Sequence, residues 1–292
     1  MQSLRDIIKR IRAVENTRQI TKAMEMVAAA RLRKAQQQIE SFRPYAQKMR
    51  EMLTHLSQAS GTVEHPYFER RDVNKSAVVL VTSDRGLCGS FNSNLIRYTN
   101  SYLAEHQDEN PALVLVGKKG NDFFKRRDHE IMKTYLDFAG KMDFMRVREI
   151  TRDLTRMFVE KEVDKITFIY TTFVSMGRFR ITDMQFLPIV ADFGDEEEEE
   201  EEHGGGKDYI FEPDASEIYK RLLPSYARVV VQMVLADSFA SEHGTRMIAM
   251  GSATKNAGEL IEFLTLQRNK ARQATITNEL LDIVGGAEAL NQ

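Results

Sequence analysis

The chain has no tryptophan and only one cysteine, Cys88, in 292 residues. A single cysteine excludes an internal disulfide and gives no sign of an oxidising compartment. The six histidines form no ligand pair at helical or zinc-finger spacing. No apolar run approaches the length of a membrane span. The N-terminus lacks the apolar core of a signal peptide, and its acids and scarce serines argue against a transit peptide. The expectation is a soluble, cytoplasmic chain that can still dock on a membrane complex.

Catalytic fingerprints are missing too. There is no G-x-G-x-x-G, no G-x-x-x-x-G-K-[ST] and no G-x-S-x-G. Gly117-Lys118-Lys119-Gly120 stands where a phosphate could land, but the lysine pair is not embedded in a P-loop. Cys88 lies near Arg85 at the expected start of a helix, which would favour a thiolate. No base has a claim on it. The chain is therefore expected to carry no catalytic centre, cofactor or metal of its own.

What is present is periodicity. From Asp214 to Val284 a step of three and four residues runs through Met233, Ala236, Ala240, His243, Met247, Met250, Thr254, Ala257, Ile261, Leu264, Arg268, Ala271, Thr275 and Asn278. That 3.5-residue repeat is the period of a coiled-coil seam. A continuous helix here would be roughly 105 Å long. The seam is thin, with Ala, Thr and Met where a tight zipper has Leu and Ile. Small residues permit close approach but bury little apolar area. Pro224 is expected to bend the start of this helix, and Gly285-Gly286 to end it.

A second long helix is expected from Ser3, capped by Ser3 with Asp6, to Ala59. Its stripe is Leu4, Ile7, Ile11 and Val14. It thins at Thr17 and resumes at Ile20, Met24 and Val27, which suggests a break in the heptad phase. Pro44 should kink this helix without ending it. Between Arg5 and Arg50 twelve bases face four acids, although the whole chain carries only -2. Such segregation points to a partner of opposite sign or to a solvated face.

The middle alternates apolar runs with amphipathic stretches. Ser76 to Ser83, Ala112 to Gly117, Glu130 to Phe138, Lys165 to Val174 and Phe179 to Val190 read as strands. Phe91 to His106, a short piece through Phe123 and Phe124, and Phe144 to Glu162 read as helices. This alternation predicts a Rossmann-like α/β layer with a largely parallel sheet. The fold class is α/β plus coiled coil: a long antiparallel two-helix coiled coil from the two termini, with a central α/β domain. The boundaries are an N-terminal helix over 1–59, a linker over 60–75, the α/β domain over 76–192, an acidic Gly-rich loop over 193–208 and a C-terminal helix over 209–292.

Several motifs carry a resemblance. They are Ile20-Thr21-Lys22-Ala23-Met24-Glu25-Met26-Val27-Ala28-Ala29, Ser83-Asp84-Arg85-Gly86-Leu87-Cys88-Gly89, Arg246-Met247-Ile248-Ala249-Met250 with Ala253-Thr254-Lys255-Asn256-Ala257, and Asn269-Lys270-Ala271-Arg272-Gln273-Ala274-Thr275-Ile276-Thr277-Asn278-Glu279. Together they resemble the gamma subunits of F-type ATP synthases, in order and over essentially the whole chain. The regulatory cysteine pair of the chloroplast form has no counterpart, so thiol switching is not implied.

The resemblance implies a central rotor. In that family the terminal helices penetrate a ring of alpha and beta subunits. The α/β domain meets the epsilon subunit and the c ring of the membrane sector. It implies partner contacts at Arg272, Gln273 and Thr277, at Met24 and Arg246, at Arg85 and Cys88 in the turn, and at Tyr209 and Glu212 toward the c ring. It implies a peripheral place on the cytoplasmic face of a bacterial plasma membrane, with no nucleic acid bound and no insertion into the bilayer. Two other readings remain open on residues alone: a basic coiled coil that binds nucleic acid, and a nucleotide-binding Rossmann-like enzyme.

Overall fold

The computed structural model describes residues 3–60, 65–189 and 215–290. It divides into two compact units. Unit 1 joins the residues up to Ala29 with those from Arg246 onward, and unit 2 spans Ala30–Thr245.

Unit 2 is built on a five-stranded sheet. The strands are β1 (Ser76–Val81), β2 (Ala112–Val116), β3 (Ile131–Tyr135), β4 (Lys165–Ser175) and β5 (Arg178–Leu187), in the order β3-β2-β1-β4-β5. The first four are parallel; β5 returns antiparallel to β4, through a turn at Gly177, whose φ is +97°. The strands β1 and β2 are buried at every position because both faces of the sheet are covered. Val78 and Leu80 face α2 (Phe91–Glu105) and α3 (Lys118–Phe124), packing with Leu95, Leu103 and Phe124. Ala77, Val79 and Val81 face the other way, into a core with Ile150, Leu154 and Phe158 of α4 (Phe144–Val159). Met49 and Leu53 of α1 (Leu4–Ser60) and Leu223 to Phe239 of α5 (Ala215–Leu290) complete that second core. Each fully buried Leu or Val is worth about 1.5–3 kcal/mol over exposure. The expected parallel α/β layer is thus present, with its two long helices forming part of one face.

Both long helices run unbroken across their prolines, Pro44 in α1 and Pro224 in α5. Ser3 caps α1 as expected: its hydroxyl donates to Asp6 Oδ2 at 2.7 Å and accepts the Asp6 N–H at 3.2 Å. Two expectations are corrected. The helix α5 does not stop at Gly285-Gly286 but continues to Leu290. Ala287, Glu288, Ala289 and Leu290 are strong helix formers and offset the cost of about 1 kcal/mol per glycine. The heptad phase of α1 does not break either. Ile7, Ile11, Thr21, Ala28, Leu32, Ala35, Met49 and Leu53 are its buried positions among the described side chains, all on one three-and-four step. Ile20 and Val27, expected on the stripe, are instead 60% and 53% exposed. The seam there is made by small and polar residues, and the large apolar ones point outward.

In unit 1 the two helices are antiparallel. Ile7 and Ile11 close on Leu264, with Val14, Leu260, Ile261 and Ala271 packed round them. Further along, Thr254 Oγ1 donates to Thr21 Oγ1 at 2.9 Å, and Thr21 donates to the Arg18 carbonyl at 3.1 Å. No helix among the described residues is long and apolar enough to cross a membrane.

Candidate functional site

Unit 1 offers one candidate surface, the end of α5. Thr21 stands opposite Thr254, so the antiparallel register sets Leu4 level with Ala271. There α1 begins, and past it no second helix lies beside α5 among the described residues. The expected seam positions Thr275 and Asn278 are accordingly exposed, a correction that follows from the shorter partner. Arg272, Gln273 and Thr277 are exposed on this single-helix stretch. Thr277 Oγ1 donates to the Gln273 carbonyl at 2.9 Å. Ile276, Leu280, Leu281, Ile283 and Val284 are exposed on the same stretch. Five large apolar side chains near the tip of one helix form a surface suited to burial against something else.

Met24 and Arg246, also in unit 1, are half-buried and buried respectively. The register sets Arg246 level with Ala29, more than one helical turn from Met24. Neither is an open contact in the way Arg272 is. Beside Met24, Glu25 pairs with Lys22 at 3.1 Å. It lies against the bare backbone of Gly251, where a Cβ would stand 3.6 Å from the carboxyl carbon.

Unit 2 holds the other candidate, the turn after β1. Leu87 and Gly89 have φ of +62° and +57°. Asn92 ties the turn down: its amide nitrogen donates to Ser83 Oγ at 2.8 Å and to Cys88 Sγ at 3.2 Å, and its oxygen accepts the Ser83 N–H at 3.0 Å. Cys88 is buried, so its thiol is part of the turn's packing and is not presented to a partner. Arg85 and Leu87 are the exposed side chains. Leu87 went unremarked in the sequence. Its signal is a large apolar residue enclosed between Gly86 and Gly89 in a tight turn.

The turn also decides what the carboxyl edge of the sheet can bind. In open α/β sheets a phosphate is received there by free amides at a helix start. Here the first three amides of α3 are engaged. Lys118 N–H donates to Asp84 Oδ1 at 3.0 Å, Lys119 N–H to the Ser83 carbonyl at 3.0 Å, and Gly120 N–H to Thr82 Oγ1 at 2.9 Å. The Asp84 carboxylate also accepts the N–H groups of Asp137 at 3.2 Å and Ala139 at 2.7 Å. A protein carboxylate occupies the place of a phosphate. The Gly117 to Gly120 segment is therefore sealed, with Thr82 so close that a Cβ on Gly117 would lie 2.1 Å from its carbonyl oxygen. Among the described residues no group of His, Cys, Asp and Glu is placed to hold a metal. Tyr209 and Glu212, with the acidic loop over 193–208, lie outside the described residues.

These features define a class: an α/β unit with two long helices, whose nucleotide-like crevice among the described residues is closed from within. A family model described as ATP synthase matches residues 3–290. The ATP synthase gamma chain of Moorella thermoacetica is 44% identical over 290 residues, covering 99% of this chain and 100% of the relative. That of Chlorobaculum parvum is 41% identical over 298 residues, covering all of both. Among solved structures, a chain of the Euglena gracilis mitochondrial ATP synthase, in an assembly of OSCP, F1 and c ring, has a TM-score of 0.65 at 20% identity and covers 98% of this chain and 94% of its own length. A chain from the central stalk and c ring of the Tetrahymena thermophila enzyme has a TM-score of 0.59 at 24% identity, covering 80% and 99%. The chain belongs to the ATP synthase gamma chain family. It is a non-catalytic subunit of that membrane-associated complex.

Proposed function

We propose that this chain is the central rotor of an F-type ATP synthase, carrying rotation of the c ring to three catalytic beta sites. One observation supports it above the others. The helix α5 is 76 residues long, has no second helix beside it past Ala271 among the described residues, and exposes Arg272, two amides and large apolar groups from there on. A helix with that ending needs a surrounding protein to cover it. A threefold ring is a fitting one, because a single helix end presents a different face to each of three like sites. A rotor shifts a site's equilibrium only by the difference its contacts make between states.

On this reading the partners are the alpha and beta subunits of the F1 ring, the epsilon subunit and the c ring. The complex lies at the cytoplasmic face of a bacterial plasma membrane, with this chain peripheral to it. The exposed Arg272 guanidinium and Gln273 amide hydrogen-bond an acidic loop of beta in one rotary state. Arg85 and Leu87 meet the rim of the ring, and Tyr209 and Glu212 meet the c ring. Met24 and Arg246, being less exposed, act by fixing the helix pair behind such contacts.

Arg272→Ala tests the reading in the assembled complex. ATP synthesis by membrane vesicles should fall about tenfold or more while assembly is retained, since a charge-assisted hydrogen bond is worth about 1.5–3 kcal/mol. Unchanged synthesis would count against the contact. Failure of the tagged chain to co-purify with alpha and beta subunits would count against the rotor itself.

A further inference from the structure

In unit 2 six consecutive residues of α5, Ser238 to His243, are buried. At about 100° per residue, six positions cover every side of a helix. A helix lying on a core buries one stripe; this one is enclosed. Its enclosure is made of directional contacts that come from different sides. The pairing of β1 with β4 stops at Ile169, so beyond it β4 presents an edge without a strand. There Ser241 Oγ donates to the Thr171 carbonyl at 3.1 Å, and the carboxyl of Asp237, one turn earlier on the same face, lies near the Phe173 backbone amide. About 200° round the helix from Ser241, His243 Nε2 donates to the Gly140 carbonyl at 2.9 Å. About 300° round, the Phe179 ring of β5 rests on the bare backbone of Gly244, where an added Cβ would stand 2.8 Å away.

The Gly140 loop is itself held. Asp137, Ala139 and Gly140 all have positive φ, and Asp84 accepts the first two amides. A Cβ on Gly140 would lie 2.7 Å from the His243 ring, so the close approach depends on this glycine. The turn after β1 is thereby joined to α5 through one short stretch of backbone.

We propose that this collar is the rotational key of the chain. Asp237 and Ser241 on β4, His243 on Gly140 and Gly244 under Phe179 fix the angle of α5 within unit 2, so that turning the sheet turns the helix without slip. Apolar burial alone has no direction and tolerates a helix rolling in its groove. Hydrogen bonds to fixed backbone atoms on opposite sides do not. Ser241 and His243 are positioning residues, since they touch no catalytic site. The inference rests on the rotor reading, and goes beyond it by naming where torque enters the helix.

The test uses complete ATP synthase in inverted membrane vesicles, with Ser241→Ala combined with His243→Ala, and with His243→Gln alone. Proton pumping per ATP hydrolysed is read by fluorescence quenching, and ATP hydrolysis separately. The double variant should lose at least threefold in protons pumped per ATP, with hydrolysis within twofold of wild type. His243→Gln, whose amide can still donate to Gly140, should keep most of the ratio. An unchanged ratio in the double variant overturns the proposal. So does an equal fall in hydrolysis and pumping, or poor assembly shared by the Gln variant, since either marks the contacts as purely structural. Loss of coupling in the wild-type complex, or absence of the chain from it, would instead sink the rotor reading.

Discussion

The helix α5 has two lives. From Leu223 to Gly244 it belongs to unit 2, buried on one side at first and enclosed among a sheet, a hairpin and a loop from Ser238 on. From Arg246 on it belongs to unit 1, and among its described side chains only Arg246, Met250, Ala257 and Leu264 are buried. The seam spacing is the same on both sides, yet Ser238 to Gly244 is enclosed on every side and the later stretch buries one side. The contrast separates two demands on one element: a stretch that must not slip, and a stretch whose contacts must be made and released. It also predicts that equal substitutions in the two stretches have unequal results.

The largest difference is expected for core leucines. Leu235 and Leu264 are each 1% exposed. Leu235 packs in the large core under the sheet, where Leu→Ala costs about 2–5 kcal/mol because the cavity cannot collapse. Leu264 meets only Ile7, Ile11 and a few half-buried neighbours, which can close in. Leu235→Ala should lower the urea midpoint of the whole isolated chain. Leu264→Ala should cost less, and should speed amide exchange only near Ile7 and Leu264. Equal global losses would mean the two stretches are one cooperative body.

Much of unit 2 was legible because runs such as Ser76–Val81 and Ala112–Val116 are apolar at every position, the mark of a strand covered on both faces. The long helices were legible from period alone. The seam of α1 was not. Ile20 and Val27 look like seam residues but face outward, while Thr21 and Ala28 do the pairing. Nor could the sequence show the collar. His243 reads as a seam position and Ser238, Ser241 and Glu242 carry no signal of burial; the contacts that enclose them come from 70 positions away, as with Ser241 to Thr171, and 103, as with His243 to Gly140. Asp84 was quoted only as part of a motif. Its three amide partners at 118, 137 and 139 come together only in the fold.

The next effect concerns Asp237. Burial pushes its carboxyl up to about 6, with Arg43 and the Phe173 amide pulling the other way. A carboxyl raised above its unfolded value holds its proton more tightly when folded. Its stabilisation is fully present below about pH 4 and is lost as the pH rises through about 6. Asp237→Asn keeps an acceptor for the Phe173 amide and removes the titration. Against wild type, the variant should gain about 2–3 kcal/mol in relative stability between pH 4 and pH 7, read from urea unfolding. A flat difference between the two proteins across that range would remove the buried carboxylate from the account.

The smallest effect is the sharpest, because its sign should reverse within one helix. Glycine inside a helix costs about 0.5–1 kcal/mol relative to alanine, so alanine helps wherever a methyl fits. At Gly258 a Cβ meets nothing within 4 Å, and at Gly251 its nearest neighbour is the Glu25 carboxyl at 3.6 Å. At Gly244 it would stand 2.8 Å from the Phe179 ring, with further ring contact at 2.9 Å. Gly258→Ala should therefore stabilise by about 0.5–1 kcal/mol. Gly244→Ala should destabilise by about 1–2 kcal/mol, because the ring must lift from the helix and the hairpin with it. Thermal melting of the two variants decides it. If Gly244→Ala also stabilised the chain, Phe179 would be free to give way, and α5 would be no more tightly held in unit 2 than in unit 1.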